Sequence, residues 1–328
     1  MAEPLLQIRD LHTVFHTEQG AWPAVSELSL HLHRGEILGL VGESGSGKSV
    51  TGFSIFGMID APGEITQGQV LLQGHDLRQL TPQAMRSLRG RRIAMIFQDP
   101  LMTLNPVLRI QEQMMEAILA HERVPRAQAL QRCIQALAMV GIPAPEKRLR
   151  SWPHEFSGGM RQRVAIAIAM LNRPELIICD EPTTALDVTI QGQILYRMQQ
   201  ICQQHGTALI WITHDLGVIA ELADRVAVMY AGRIVESGQV DDVFDAPRHP
   251  YTQGLLQSLP AQAQPGQRLA QINGIAPSLS GRVSGCAFAP RCPRASARCA
   301  CEQPAPTTEA TAQGQREYRC FHPLEASA

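Results

Sequence analysis

The chain has 328 residues, with 29 Lys and Arg against 30 Asp and Glu, and its formal charge of −1 excludes a strongly basic nucleic-acid coat or an acidic tail as the organising feature. A hydrophobic fraction of 45% is enough for a full core, which excludes a disordered chain, and the length suits one large α/β domain with a smaller part attached. The longest apolar run, residues 164–171, falls far short of the roughly 18 residues that span a bilayer, and residues 1–10 lack a basic-then-apolar leader, so the expectation is a cytoplasmic protein with reduced thiols.

In chain order, strand-like and helix-like patterns alternate through residue 245, which predicts an α/β fold. Residues 35–41 form a short apolar run leading into a glycine-rich loop and predict a buried strand; residues 48–59 predict a helix that starts at that loop. Residues 93–97, 176–179 and 208–213 predict further central strands, each ending at a polar residue: Gln98, Asp180 and His214. Ligands of parallel sheets bind beyond the carboxyl ends of strands, so these endings beside a glycine loop predict one shared site. Between them, the stripes Ile110, Met114, Ile118 and Leu130, Ile134, Leu137, stopped by Gly141 and Pro143, predict a helical insertion over about 99–165. Residues 225–230 and 233–237, joined by Ala231-Gly232, predict a hairpin. Periodic apolar segments then fade. Five of the eight cysteines and ten of the 22 prolines gather toward the C-terminus, so a second module is placed at 246–328, with an Ala/Pro/Gln-rich linker at 261–267.

The sharpest motif is Gly42-Glu43-Ser44-Gly45-Ser46-Gly47-Lys48-Ser49, followed by Val50, a P-loop pattern. Its glycines let successive N–H groups point at phosphate oxygens, and the following helix adds the positive end of its dipole. Lys48 would reach the β- and γ-phosphates and the Ser49 hydroxyl would bind Mg²⁺. Asp180 and Glu181, at the end of an apolar strand, would serve the metal and an attacking water; on alternating strand geometry the two point to opposite faces. Phe156-Ser157-Gly158-Gly159-Met160, ahead of another helix, is a second phosphate cradle, and a second cradle implies a site completed by another subunit.

On these motifs, residues 5–245 resemble the ATP-binding cassette (ABC) ATPases. The resemblance implies a P-loop core with an antiparallel β subdomain, an inserted helical subdomain and, here, a Cys/Pro-rich C-terminal extension. It implies that Phe15 stacks on adenine, and that Gln98 is the Q-loop glutamine at the metal or the water. Asp180 becomes a Mg²⁺ ligand and Glu181 the catalytic base. Asp187 becomes the D-loop aspartate, and His214 the switch histidine on the γ-phosphate. Ser157, Gly158 and Gly159 would close over ATP bound to a partner. Met160 departs from the commoner glutamine, a substitution found in the peptide-importer branch.

The tail, with His249-Pro250-Tyr251 and Arg291-Cys292-Pro293, resembles the C-terminal region of ATPase subunits serving oligopeptide, dipeptide and nickel importers. The branch implies uptake of peptides or related small solutes, at the cytoplasmic face of the inner membrane. Its partners would be a second ABC ATPase subunit, two transmembrane permeases and an extracytoplasmic solute-binding protein, with no nucleic acid. The groove beside residues 98–106 is expected to receive a permease helix.

The spacing of Cys286, Cys292, Cys299 and Cys320 lacks the close pairs of zinc sites and leaves metal ligation or free thiols open. The resemblance implies a [4Fe–4S] centre, with zinc or no metal as alternatives and Cys301 as the spare.

Overall fold

The computed structural model describes residues 3–18, 20–184, 186–259, 270–275 and 284–325, so the expected linker at 261–267 lies outside the described residues. The chain opens on β1 (Leu6–Thr17) and β2 (Gly20–Leu32), then enters β3 (Ile37–Val41), the P-loop and α1 (Lys48–Phe56). α1 stops earlier than its apolar pattern suggests. Gly57 adopts φ 69°, and its amide turns back to the last-turn carbonyls of Phe53 and Ser54. β4 (Gly63–Leu72) and β5 (His75–Asp76) complete a four-stranded sheet of order β2-β1-β4-β5, the antiparallel subdomain.

After α2 (Pro82–Leu88) and β6 (Ile93–Ile96) comes the insertion: α3 (Ile110–Leu119), α4 (Arg126–Met139), α5 (Pro145–Arg148) and α6 (Gly158–Met170). In α4 the buried face is Ala129, Cys133, Ala136 and Leu137, whereas Leu130 and Ile134 are only half-buried. The stripe is thus rotated by one residue, because small side chains on the inner face let α4 pack closely on α3 and α6.

The chain re-enters the core through β7 (Leu176–Asp180), α7 (Val188–His205), β8 (Ala208–Thr213), α8 (Leu216–Leu222), β9 (Arg225–Tyr230) and β10 (Arg233–Gln239). β3, β7 and β8 are buried along their whole length, as strands covered on both faces require. The β9–β10 turn places both Ala231 and Gly232 at positive φ, 46° and 82°, the pair of conformations that matches a tight hairpin to strand twist.

Beyond α9 (Val240–Asp245) and α10 (Pro250–Gln257), the tail contributes α11 (Ala297–Cys301), β11 (Thr307–Thr311) and β12 (Gly314–Tyr318). β12 pairs with β10 at Glu236–Tyr318 and Ser237–Glu317, which covers an otherwise open sheet edge. The second sheet therefore runs β11-β12-β10-β9-β3-β8-β7-β6, parallel from β9 to β6 and antiparallel beyond β9.

The tail is pinned to this sheet by Glu236, which is fully buried and accepts the backbone N–H groups of Arg248 (2.7 Å) and His249 (2.9 Å). His249 caps α10: its Nδ1 accepts the Tyr251 N–H at 3.0 Å, so the buried imidazole is neutral. Burial lowers its pKa from the ordinary 6.5 to about 3. The unfolded chain therefore takes up this proton first, and stability present above pH 6.5 is lost as pH falls toward 3. His249→Asn keeps an acceptor at the cap but does not titrate. Its melting temperature should decline less steeply than the parent's on the acid side of pH 6.5; parallel declines would refute the assignment.

Candidate functional site

The loop between β3 and α1 is shaped by two glycines that nothing larger can replace. Gly42 has φ 151°, and a Cβ there would collide with the Met229 carbonyl; Gly47 has φ 101°, and a Cβ there would collide with the Ala24 carbonyl. The loop is also backed by the β9–β10 turn, whose Gly232 N–H donates to Ser46 O at 2.9 Å. Lys48 is buried and donates from Nζ to Gly42 O and Glu43 O, both at 2.8 Å. Burial lowers its pKa, against the raising influence of Glu181, Asp180 and Glu43. Ser46 is buried, Ser44 and Gly45 are exposed, and Val50 packs partly against the core.

The ends of β7, β8 and β6 converge on this loop. Ser49 Oγ donates to Asp180 Oδ1 at 2.9 Å. Burial raises the Asp180 pKa, and the Ser49 bond opposes that shift. A hydroxyl beside a carboxylate is the hard-oxygen donor chemistry Mg²⁺ takes, so these residues suit the ion.

Glu181 departs from strand alternation. It lies just past β7 with φ 45°, its N–H bonded to Ile212 O at 2.9 Å, and its carboxylate is turned into the same site as Asp180. Glu181 does not face away from Asp180, contrary to strand alternation, because it lies outside the strand. Three side chains hold the Glu181 carboxylate: Gln98 Nε2 at 3.2 Å, Thr184 Oγ1 at 3.2 Å and His214 Nδ1 at 3.1 Å. Gln98, Glu181 and His214 thus meet, as the shared strand ends predict.

Other candidates stand apart. Ser157 caps α6, its Oγ accepting the Met160 N–H at 3.3 Å, and with Gly158 it is exposed. The first turns of that helix are tied to the segment just past β6 by buried Gln162, whose Nε2 donates to Phe97 O at 3.3 Å. Gly159 lies in the first turn of α6. Asp187 caps α7, accepting the Ile190 N–H at 3.0 Å. Phe15 sits in β1 opposite Trp22 of β2 and against Gly63 of β4, half-exposed.

In the tail, Cys286, Cys292, Cys299 and Cys320 lie close enough to act on one another electrostatically. Burial raises the thiol pKa of Cys286, Cys292 and Cys320, that of Cys320 to about 11, and the neighbouring thiols add to the shift. Cys301 is exposed. Among the described residues, however, no group of three or more His, Cys, Asp or Glu is arranged to hold a metal ion. The donor chemistry suits iron, but the expected ligand set is not closed.

Sequence reasoning missed Thr184, and it missed Tyr251 and Arg291 as neighbours of the P-loop. Thr184 carries a local signal, a hydroxyl three residues after a catalytic-type acid. The other two are more than 200 residues from the loop they touch, at separations of 208 and 248.

Comparison with known proteins agrees with this geometry. The ABC transporter family matches residues 25–184, and the family described as oligopeptide/dipeptide transporter, C-terminal region, matches residues 235–299. The chain is 46% identical over 321 residues to the dipeptide transport ATP-binding protein DppD of Escherichia coli, covering 98% of this chain and 97% of that one. It is 50% identical over 289 residues to the oligopeptide transport ATP-binding protein OppD of Bacillus subtilis, covering 88% and 81%. Among solved structures, it is similar to an ATP-binding cassette captured as a dimer in a post-hydrolysis state with ADP and Pi. That match has a TM-score of 0.66 and 25% identity, and covers 72% of this chain and 98% of the other.

Proposed function

The chain belongs to the ATP-binding subunits of ABC transporters, in the oligopeptide and dipeptide branch, and from that premise we propose that it hydrolyses ATP to power uptake of di- or oligopeptides or related small solutes. The observation that carries the reading is the convergence of Gln98, Thr184 and His214 on the Glu181 carboxylate beside the Lys48 loop. Lys48 and the loop N–H groups bind the β- and γ-phosphates, and Phe15 packs on the adenine. Ser49, Asp180 and Gln98 would hold Mg²⁺, which when bound would offset phosphate charge. Glu181 accepts hydrogen bonds from Gln98 and Thr184 in a fixed orientation. From there it can polarise a water for in-line attack on the γ-phosphate, while His214 contacts that phosphate. Positioning of this kind supplies most of the catalysis that phosphoryl transfer needs.

Ser157, Gly158 and Gly159 are exposed or half-buried at a helix N-terminus, ready to close over ATP held by a second ATPase subunit, identical or paralogous. On this reading Asp187 is the D-loop aspartate that communicates across that contact. Glu181→Gln keeps the shape of the site and removes the base. ATP hydrolysis should fall by about two orders of magnitude or more, and the variant should accumulate as an ATP-bound dimer. Equal hydrolysis by variant and parent would point instead to a subunit that binds ATP without turnover.

The partners of this reading are two transmembrane permeases and an extracytoplasmic solute-binding protein, with the chain held at the cytoplasmic face of the inner membrane. No helix among the described residues is long and apolar enough to cross a membrane, which fits membrane contact through the permeases. Beside Gln98, Leu101, Met102 and Val107 are 51%, 62% and 71% exposed, an apolar strip suited to a permease helix. A cysteine replacing Met102 should crosslink to permease loops in the assembled complex. Crosslinks confined to other faces of the chain would defeat this placement.

For the tail, the reading is a [4Fe–4S] centre held by Cys286, Cys292, Cys299 and Cys320. Its support is the gathering of those four thiols and the exposure of Cys301. Protein prepared without oxygen should be brown, with iron and sulfide in equal amounts. Cys299→Ser should lose the colour and Cys301→Ser should keep it. Colourless, iron-free parent protein would leave zinc or free thiols.

A further inference from the structure

Two tail motifs that the catalytic cycle does not use meet on one residue of the P-loop. Glu43, the second residue of the loop, donates its backbone N–H to the Tyr251 hydroxyl at 2.8 Å. Its carboxylate is gripped by both ends of the Arg291 guanidinium, Oε2 to one terminal nitrogen at 2.6 Å and Oε1 to the other at 2.9 Å. Tyr251 is the last residue of the His-Pro-Tyr motif and Arg291 the first of Arg-Cys-Pro.

The clamp is built, not casual. The Arg291 side chain is only 5% exposed. Its Nε donates to Asn273 O at 3.0 Å, and its terminal nitrogens also reach Ile272 O at 3.4 Å and the Tyr230 hydroxyl at 3.3 Å. The guanidinium lies over the Tyr230 ring, 5.9 Å from its centroid, and Tyr230 packs in turn with Tyr251 and Phe288, ring centroids 4.5 to 5.4 Å apart.

An acid in a phosphate-binding loop is an electrostatic problem. A carboxylate beside a triphosphate repels it, and the repulsion is strong where water is excluded. A bidentate guanidinium cancels that charge and fixes the carboxylate away from the ligand. We propose that Arg291, with Tyr251, is a positioning residue for nucleotide binding: the tail neutralises and holds Glu43, so that the P-loop presents net positive charge to ATP. The proposal rests on the reading of residues 42–49 as the ATP cradle. It gives the tail a task in the ATPase site independent of any metal.

The test uses the full chain, with equilibrium binding of a fluorescent ATP analogue in magnesium, and KM and kcat for ATP. Arg291→Gln leaves Glu43 charged and unpaired, so binding should weaken and KM should rise by about tenfold, with kcat at saturating ATP changing by less than about twofold. Adding Glu43→Gln to that variant removes the repelling charge and should return binding to within about threefold of the parent. A purely structural role for Arg291 predicts no such rescue. If Arg291→Gln does not fold, Arg291→Met, which also removes the charge but keeps a long apolar stem in the buried site, carries the same comparison with and without Glu43→Gln. Parent-like binding by the single variant, or a double variant as weak as the single, would overturn the proposal. A parent chain that binds no nucleotide would overturn the ATP reading itself.

Discussion

The bond between Ser49 Oγ and Asp180 Oδ1 joins the first residues of α1 to the last residue of β7, and the site depends on that junction. It exists because β3, β8, β7 and β6 run parallel and in register, so their carboxyl ends lie along one edge of the sheet. The P-loop then brings its lysine against two acids. Burial costs are high for each charge taken alone, and the mixed set offsets them: burial depresses Lys48 while Asp180 and Glu181 hold it up. A neutral residue in place of Lys48 would leave Asp180 with less compensation, whereas neutralising Glu181 would relieve Asp180 of a like charge while weakening the support for Lys48.

Glu181 shows how a small backbone change assigns chemistry. A strand would have turned its side chain away from Asp180. A positive φ one residue past the strand, stabilised by an amide bond to β8, turns it back. The strain at this non-glycine residue is offset by the three side chains that receive its carboxylate. The two acids therefore share a site while keeping different neighbours, Ser49 for one and Gln98, Thr184 and His214 for the other.

Much of this was legible in the sequence. The buried parallel strands announce themselves as unbroken apolar runs, and the P-loop and the polar strand endings fall where those runs stop. What was not legible is set by long-range packing. The inner face of α4 is chosen by how closely its neighbours approach, not by where its largest apolar residues lie, so Ala129 and Ala136 are buried while Leu130 and Ile134 are half-exposed. The extension of the main sheet by β11 and β12 depends on two residue pairs across a separation of about eighty residues, for which no local pattern exists. The Arg291–Glu43 pair is equally silent in sequence, since each residue sits in its own motif and nothing local says that the two meet.

Gln162 gives the insertion a fulcrum. Because its amide grips the Phe97 carbonyl at the foot of α6, any swing of the helical arm exerts torque one residue from Gln98. A displacement of α6 would therefore be felt at Gln98 and, through it, at the Glu181 carboxylate.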